Sequence, residues 1–275
     1  MIKLCFRSSL KLLINSLLCL FLTGVMHGQT ENQFDELIEQ PTWKLTFQDS
    51  GADDWREHWF LDGVRATVKN TEKGMAFSAG PIFKDNGSHA VLWTKQVFEG
   101  ALRIEFDYTR LDDIYRAVNI IYIQATGKGQ GPYTEDITDW SHLRTIPYMS
   151  NYFQNMNLLH VSYAAYGADG EEGQDYVRAR RYPVPSGGSF GPDTKFDPDY
   201  FNTGLFTPGV TYHFTVIKSA NNLYMQVREI GGDLVKLFSW DISTKPPVTQ
   251  GRIGFRHMYT RAARYANIKI YQMDP

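Results

Sequence analysis

Two stretches decide the fold: Leu158–Gly167, LLHVSYAAYG, and Asp175–Pro183, DYVRARRYP. Both alternate in side-chain character with period two, the repeat of a β-strand. In the first, Leu159, Val161, Tyr163 and Ala165 share one face, and His160, Ser162, Ala164 and Tyr166 share the other. In the second, Val177 and Ala179 face one way, and Tyr176, Arg178, Arg180 and Tyr182 the other. A solvated strand face is ordinarily Lys, Thr, Glu and Ser. His, Arg and Tyr in that position predict a face that binds a planar anion and moves protons near neutral pH.

Working outward, strand-like runs separated by turn residues recur at Trp43–Gln48, Met75–Ala79, Ala90–Lys95, Ala101–Arg110 and Val118–Ala125. They continue at Thr211–Ser219, Leu223–Glu229, Leu234–Trp240, Gly251–Arg256 and Ala266–Met273. A dozen strands with no long helical period predict an all-β protein, a sandwich or jelly roll of two antiparallel sheets. Residues Thr138–Asn155 are the exception and predict a short helix on one side of Pro147; Gln29–Gln40 reads as a lead-in or short helix. Loops rich in Gly, Pro and Asp fall at Gly127–Tyr133, Gly167–Gln174 and Pro185–Pro198, the kind that rims a cleft.

The first residues carry Lys3, Arg7 and Lys11 ahead of an apolar run, Leu12–Val25. That is a secretory signal pattern, too short to span a bilayer, with cleavage expected after Gly28. Residues 1–28 are therefore expected to be a signal peptide and 29–275 a single domain, periplasmic or secreted and not membrane-spanning. Cys19 lacks the small neighbours of a lipoprotein site. Both cysteines, Cys5 and Cys19, fall in the leader, which excludes disulfides, thiolate catalysis and Cys-ligated zinc from the remainder. The remaining chain, about 245 residues, is long enough for one large core. A net charge of -2 gives no global attraction to nucleic acid.

The same face test on Val118–Ala125 points Ile121 and Ile123 inward and Tyr122 and Gln124 outward. In Gly251–Arg256, Ile253 and Phe255 read as core and Arg256 as outward. If these strands are neighbours, one face gathers Gln, Tyr, His and Arg, a set suited to β-elimination on a uronate sugar. Arg and Gln neutralise the carboxylate and acidify the C5 proton; His or Tyr removes it and protonates the group leaving C4. The expected catalytic residues are His160, Tyr122 and Tyr182. Arg178, Arg180 and Gln124 are expected to hold the carboxylate, with Arg144, Arg256, Tyr166 and Trp93 as further substrate-binding residues. The expected partner is an acidic oligosaccharide or polysaccharide, and no nucleic acid.

Two rival readings stand beside this one. Glu105 and Asp107, two apart in LRIEFDY, are a paired-carboxylate candidate for glycoside hydrolysis, although Arg110 interrupts the longer Glu-x-Asp-x-x-Glu pattern. A non-catalytic binder would use Trp93, Trp140 or Tyr166 as stacking platforms. The scattered histidines have no metal spacing, so no cofactor is expected beyond a structural calcium that acidic loops could hold.

VLWTKQVFEG from Val91, HVSYAAYG from His160, DYVRARRYP from Asp175 and GRIGFRHMYTRAARY from Gly251, in this order, resemble the YesU-like family, a domain of unknown function (DUF1961). The resemblance runs from about Phe47 to Tyr271. It implies a concanavalin A-like (lectin/glucanase) jelly roll and a place in polysaccharide utilisation, near enzymes that remove unsaturated uronic acids. It supplies no catalytic residues. The Arg-containing and Gln-Ile-His strand motifs of polysaccharide lyases of similar fold are not intact here.

Overall fold

A computed structural model describes residues 30–167 and 175–273. The expected signal peptide and most of the Gly167–Gln174 loop lie outside the described residues. The chain separates into two compact units, Met1–Pro41 and Thr42–Pro275. The described part of the first is a helix, α1, over 30–38.

The second unit is a sandwich of two antiparallel sheets. In chain order its strands are β1 (Trp43–Asp49), β2 (Trp59–Asp62), β3 (Thr67–Thr71), β4 (Gly74–Ser78), β5 (Ala90–Thr94), β6 (Phe98–Glu99), β7 (Leu102–Arg110) and β8 (Asn119–Gly127). There follow β9 (Met156–Ala165), β10 (Tyr176–Tyr182), β11 (Tyr200–Phe201), β12 (Thr211–Lys218), β13 (Asn222–Glu229), β14 (Val235–Asp241), β15 (Gln250–His257) and β16 (Ala262–Met273). The first sheet runs β14-β13-β12-β7-β16-β4-β3, with β1 paired to β16. The second runs β11-β10-β9-β8-β15-β5-β2, with β6 paired to β15. The all-β jelly roll expected from the strand pattern is the fold observed. β2, β3, β6 and β11 carry too little alternation to stand out in the sequence.

Period two explains the interior. In β7, Leu102, Ile104, Phe106 and Tyr108 point between the sheets, and Arg103, Glu105 and Asp107 lie on the more exposed face. From the second sheet Ile121, Ile123, Leu159, Val161, Val177, Ala179, Ile253 and Phe255 fill the same space. The rings there pack face to face and edge to face, as with Phe106 on Phe214 at 4.6 Å and Phe255 on Tyr265 at 4.1 Å. Some of the polar atoms that enter this core pair with one another: Tyr265 Oη meets Tyr163 Oη and His257 Nε2, each at 2.8 Å.

The other face of the second sheet is also covered. Residues 128–155 leave β8, cross that face and return as β9. They carry a 3₁₀ turn at Ser141–Arg144 and helix α2 at Met149–Asn155, so helical structure flanks Pro147 on both sides. Ile137, Trp140 and Tyr152 from this excursion close a second apolar cluster over Val91, Trp93, Ile120, Tyr122 and Tyr182. Trp93 and Trp140, the stacking platforms of the binder reading, are thereby covered: enough apolar surface lies on both sides of the sheet to bury both.

Two residues break the expected alternation. Gln124 takes φ 54° at a bulge between Ile123 and Thr126, and Ala164 takes φ 43° beside a register shift in the β9–β10 ladder. A bulge inserts a residue and reverses facing beyond it. Ala164 thus joins the inter-sheet core and Ala165 the second cluster, the opposite of the assignment from simple alternation.

Candidate functional site

Strand register aligns the predicted residues in two rungs across the second sheet. One reads Arg180, His160, Tyr122, Gly254, Trp93; the next reads Arg178, Ser162, Ile120, Arg256, Val91, Asp62. Each rung takes one residue per strand, about 4.8 Å apart. The sequence-predicted His160, Tyr122, Tyr182 and Arg256 are brought together on this face, and all four are buried.

His160 sits between two hydroxyls: Tyr182 Oη lies 2.7 Å from Nδ1 and Ser162 Oγ lies 2.6 Å from Nε2. Burial, with Arg180, Arg256 and Arg178 nearby, holds its pKa well below the ordinary histidine value, so the ring is neutral near pH 7. A neutral imidazole has one donor and one acceptor nitrogen, which matches two hydroxyl partners. Burial likewise raises Tyr182 far above the usual phenol range and Tyr122 to about 12, against a smaller lowering by Arg256.

Tyr122 lies in a stack of parallel rings, 5.5 Å from Trp93 and 5.9 Å from Tyr152. Gly254 makes room for this, because a β-carbon there would meet the Trp93 ring at 2.4 Å. Beneath the stack Asp62 accepts from Trp93 Nε1 (2.8 Å), Arg144 Nε (2.6 Å) and Tyr152 Oη (3.1 Å). This carboxylate fixes the roof to the sheet.

Arg256 is the cation left over. Its Nη2 donates to Pro147 O at 2.9 Å and its guanidinium lies 4.3 Å from the Tyr152 ring centre. Its Nε and Nη1, both buried, have no hydrogen-bond partner, and neither does the Tyr122 hydroxyl. Arg256 approaches that hydroxyl closely enough to lower its pKa, without the geometry of a hydrogen bond. Buried His89 adds a fourth unpartnered atom, Nδ1; burial and Arg256 lower its pKa to about 3. Buried donors without acceptors are costly. Those of Arg256 and Tyr122 lie near one another.

The remaining predicted residues are placed elsewhere or already engaged. Gln124 is turned by its bulge so that Nε2 donates to the carbonyls of Phe98, Gly100 and Thr249, which corrects its assignment as a carboxylate grip. Tyr166, past the Ala164 bulge, accepts from Arg110 Nη1 in a network where Asp112 bridges Arg110 and Arg261; it does not join the site face. Arg144 is spent on Asp62, and Arg180 donates to the carbonyls of Phe190 and Gly191 and to Thr194. Arg178 pairs with Asp199 at 2.6 Å. Trp93 and Trp140 are buried in the stack and roof, not offered as platforms. Glu105 and Asp107 lie on the first sheet, where Glu105 pairs with Arg103 and Asp107 with His213.

Sequence reasoning missed Asp62 and His89. Asp62 ends a short strand and His89 sits just before β5, where no alternation marks them. Among the described residues no group of three or more His, Cys, Asp and Glu could hold a metal ion, and no helix is long and apolar enough to cross a membrane.

The fold and this roofed sheet define a jelly-roll β-sandwich protein. The chain belongs to the domain of unknown function family DUF1961, whose profile matches residues 46–270. A Bacillus subtilis protein of unknown function with a galectin-like fold superposes with a TM-score of 0.60 at 18% identity, covering 84% of this chain and 98% of that one. Lectin UEA-II of Ulex europaeus, complexed with galactose, gives 0.51 at 10% identity, covering 82% and 96%. The CBM2 module of the evolved Dit of Lactobacillus casei BL23 phage J-1 gives 0.51 at 7%, covering 85% and 97%. At such identities these likenesses establish the fold. No curated protein matches the chain.

Proposed function

We propose that this protein acts on glycans, taking an acidic sugar at the roofed face of its second sheet and eliminating across C4–C5 of a uronate. The observation that carries the reading is Arg256, a buried guanidinium with two unmet N–H groups beside the unmet hydroxyl of Tyr122. A carboxylate is a fitting occupant, because it accepts charge-assisted hydrogen bonds from a guanidinium. The galactose-bound lectin of the same fold supports glycans as the ligand class.

In this reading Arg256 neutralises the uronate carboxylate and acidifies the C5 proton. Both nitrogens of His160 are occupied, so it works through a partner: with the bound carboxylate offsetting part of the positive field that lowers its basicity, Tyr182 Oη passes its proton to Nδ1 as it takes the proton from C5. The electron pair forms the C4=C5 bond and the C4–O bond breaks. Tyr122, kept protonated by burial, gives its proton to the departing oxygen. If that oxygen carries a sugar the reaction is a lyase step; if it leaves as water, a dehydration. The chain is read as an exported protein, with a periplasmic or secreted location.

Incubation with a panel of uronate oligosaccharides, followed by ultraviolet absorbance and mass spectrometry, tests this. A new conjugated double bond is expected, with loss of one water distinguishing dehydration from chain cleavage. Addition of water without new absorbance overturns elimination in favour of hydrolysis. The complete burial of Tyr122 and Tyr182 favours a second reading, a binder without turnover; it is selected if acidic glycans bind and emerge unchanged.

A further inference from the structure

We infer that the solvent face of the first sheet carries a separate binding groove for a neutral sugar. The inference is independent of the anionic site, which lies on the other sheet. A groove of about 390 Å³ opens there over two cross-strand rungs, His213–Asp107–Ala266 and Thr211–Thr109–Arg264.

Its polar groups are held before any ligand arrives. Asp107 accepts from His213 Nδ1 at 2.8 Å and from Asn267 Nδ2 at 2.7 Å. These bonds hold its carboxyl below the usual range despite partial burial, so it is ionised. Asn267 reaches Asp107 because it sits at φ 52° in the bulge that shifts β16 against β7. Thr109 Oγ1 and Thr211 Oγ1 share a hydrogen bond at 2.8 Å, and Arg264 Nη2 donates to Thr109 at 3.1 Å. The walls are two tight turns at Ser50–Ala52 and Glu72–Lys73. They close on β16 through Gly51 and Gly74, both at positive φ, where a β-carbon would fall 2.6 Å and 2.5 Å from Tyr265 O.

The lining selects the ligand class. Glu72 and Asp107 balance Lys73 and Arg264, so the groove favours no anion or cation. Its small alanines and polar ends offer little to an apolar ligand. Sugar hydroxyls both donate and accept, and a fixed carboxylate, amide and guanidinium on rigid strands suits adjacent hydroxyls.

The test is titration of the full chain with glucose, galactose, mannose, xylose and rhamnose, read by backbone amide NMR, which needs no turnover. At least one sugar is expected to shift the amides of Asp107, Thr211 and Asn267 saturably in the millimolar range. Asp107→Ala and Asn267→Ala should each weaken that sugar about tenfold, roughly one charge-assisted hydrogen bond. Asn267→Ala changes an exposed bulge residue and serves if Asp107→Ala does not fold. The inference is overturned if none of the sugars shifts these amides, or if binding is unchanged in a folded variant.

Discussion

Gly254 and Trp93 are matched across the β15–β5 ladder so closely that a single methyl on Gly254 would lie 2.4 Å from the indole. The indole fills the space a side chain would occupy and presents its face to Tyr122. Gly254→Ala is therefore expected to tilt Trp93, open the stack and destabilise the domain by about 1–3 kcal/mol, the range for overpacking a dense core. Urea unfolding measures this, and a change below about 0.5 kcal/mol would mean the stack is loosely held.

Among the described residues, Asp62 is the acid that pairs with the fully buried Arg144. Asp62→Ala leaves that guanidinium without a counter-ion and is expected to cost about 3–5 kcal/mol. If the roof over 128–155 is fixed by this contact, hydrogen exchange in α2 should rise in the same variant. Unchanged protection there would assign the roof to apolar packing alone.

Arg256 makes the opposite prediction. It is buried with two unmet donors, so Arg256→Met should leave stability unchanged or raise it. The same change should lower affinity for an acidic oligosaccharide at least about 30-fold, roughly 2 kcal/mol for losing a buried charge partner. Loss of stability without loss of acidic-ligand binding would make Arg256 structural.

His160→Ala and Tyr182→Phe are expected to abolish turnover of the uronate substrate while keeping the fold, whereas Glu105→Gln on the other sheet should turn over normally. Retained activity in both site variants, or its loss in Glu105→Gln, would move the chemistry away from the second sheet.

Three buried histidines make stability fall in acid. His89 and His257 have pKa values lowered to about 3, and His160 is well below the ordinary 6.5. Below pH 6.5 the unfolded chain binds protons that these folded sites refuse, so stability is full above that value and declines as the pH falls. At pH 5 the loss is about 2 kcal/mol each for His89 and His257, and His160 adds to it in the same direction. Urea midpoints from pH 7.5 to 5 should drop steadily, and substituting His257 with Gln should flatten part of the slope. A midpoint constant over this range would contradict the burial of these rings.

The residues themselves made much of this legible. Alternation in Leu158–Tyr163, Tyr176–Tyr182 and Ile120–Ile123 fixes which side chains share a face, since a strand has no other way to arrange them. That was enough to bring His160, Tyr122, Tyr182 and Arg256 together once the jelly roll set neighbouring strands in register. Alternation fails where the backbone enters a bulge. Gln124 and Ala164 reverse direction at positive φ, which put Gln124 and Tyr166 off the site. The sequence by itself thus determined strand faces and fold class, because both follow from local periodicity. Only the tertiary structure decided that 128–155 roofs the face, that Asp62 engages Arg144, and that Arg256 keeps two donors free, because each depends on contacts between residues far apart in the chain.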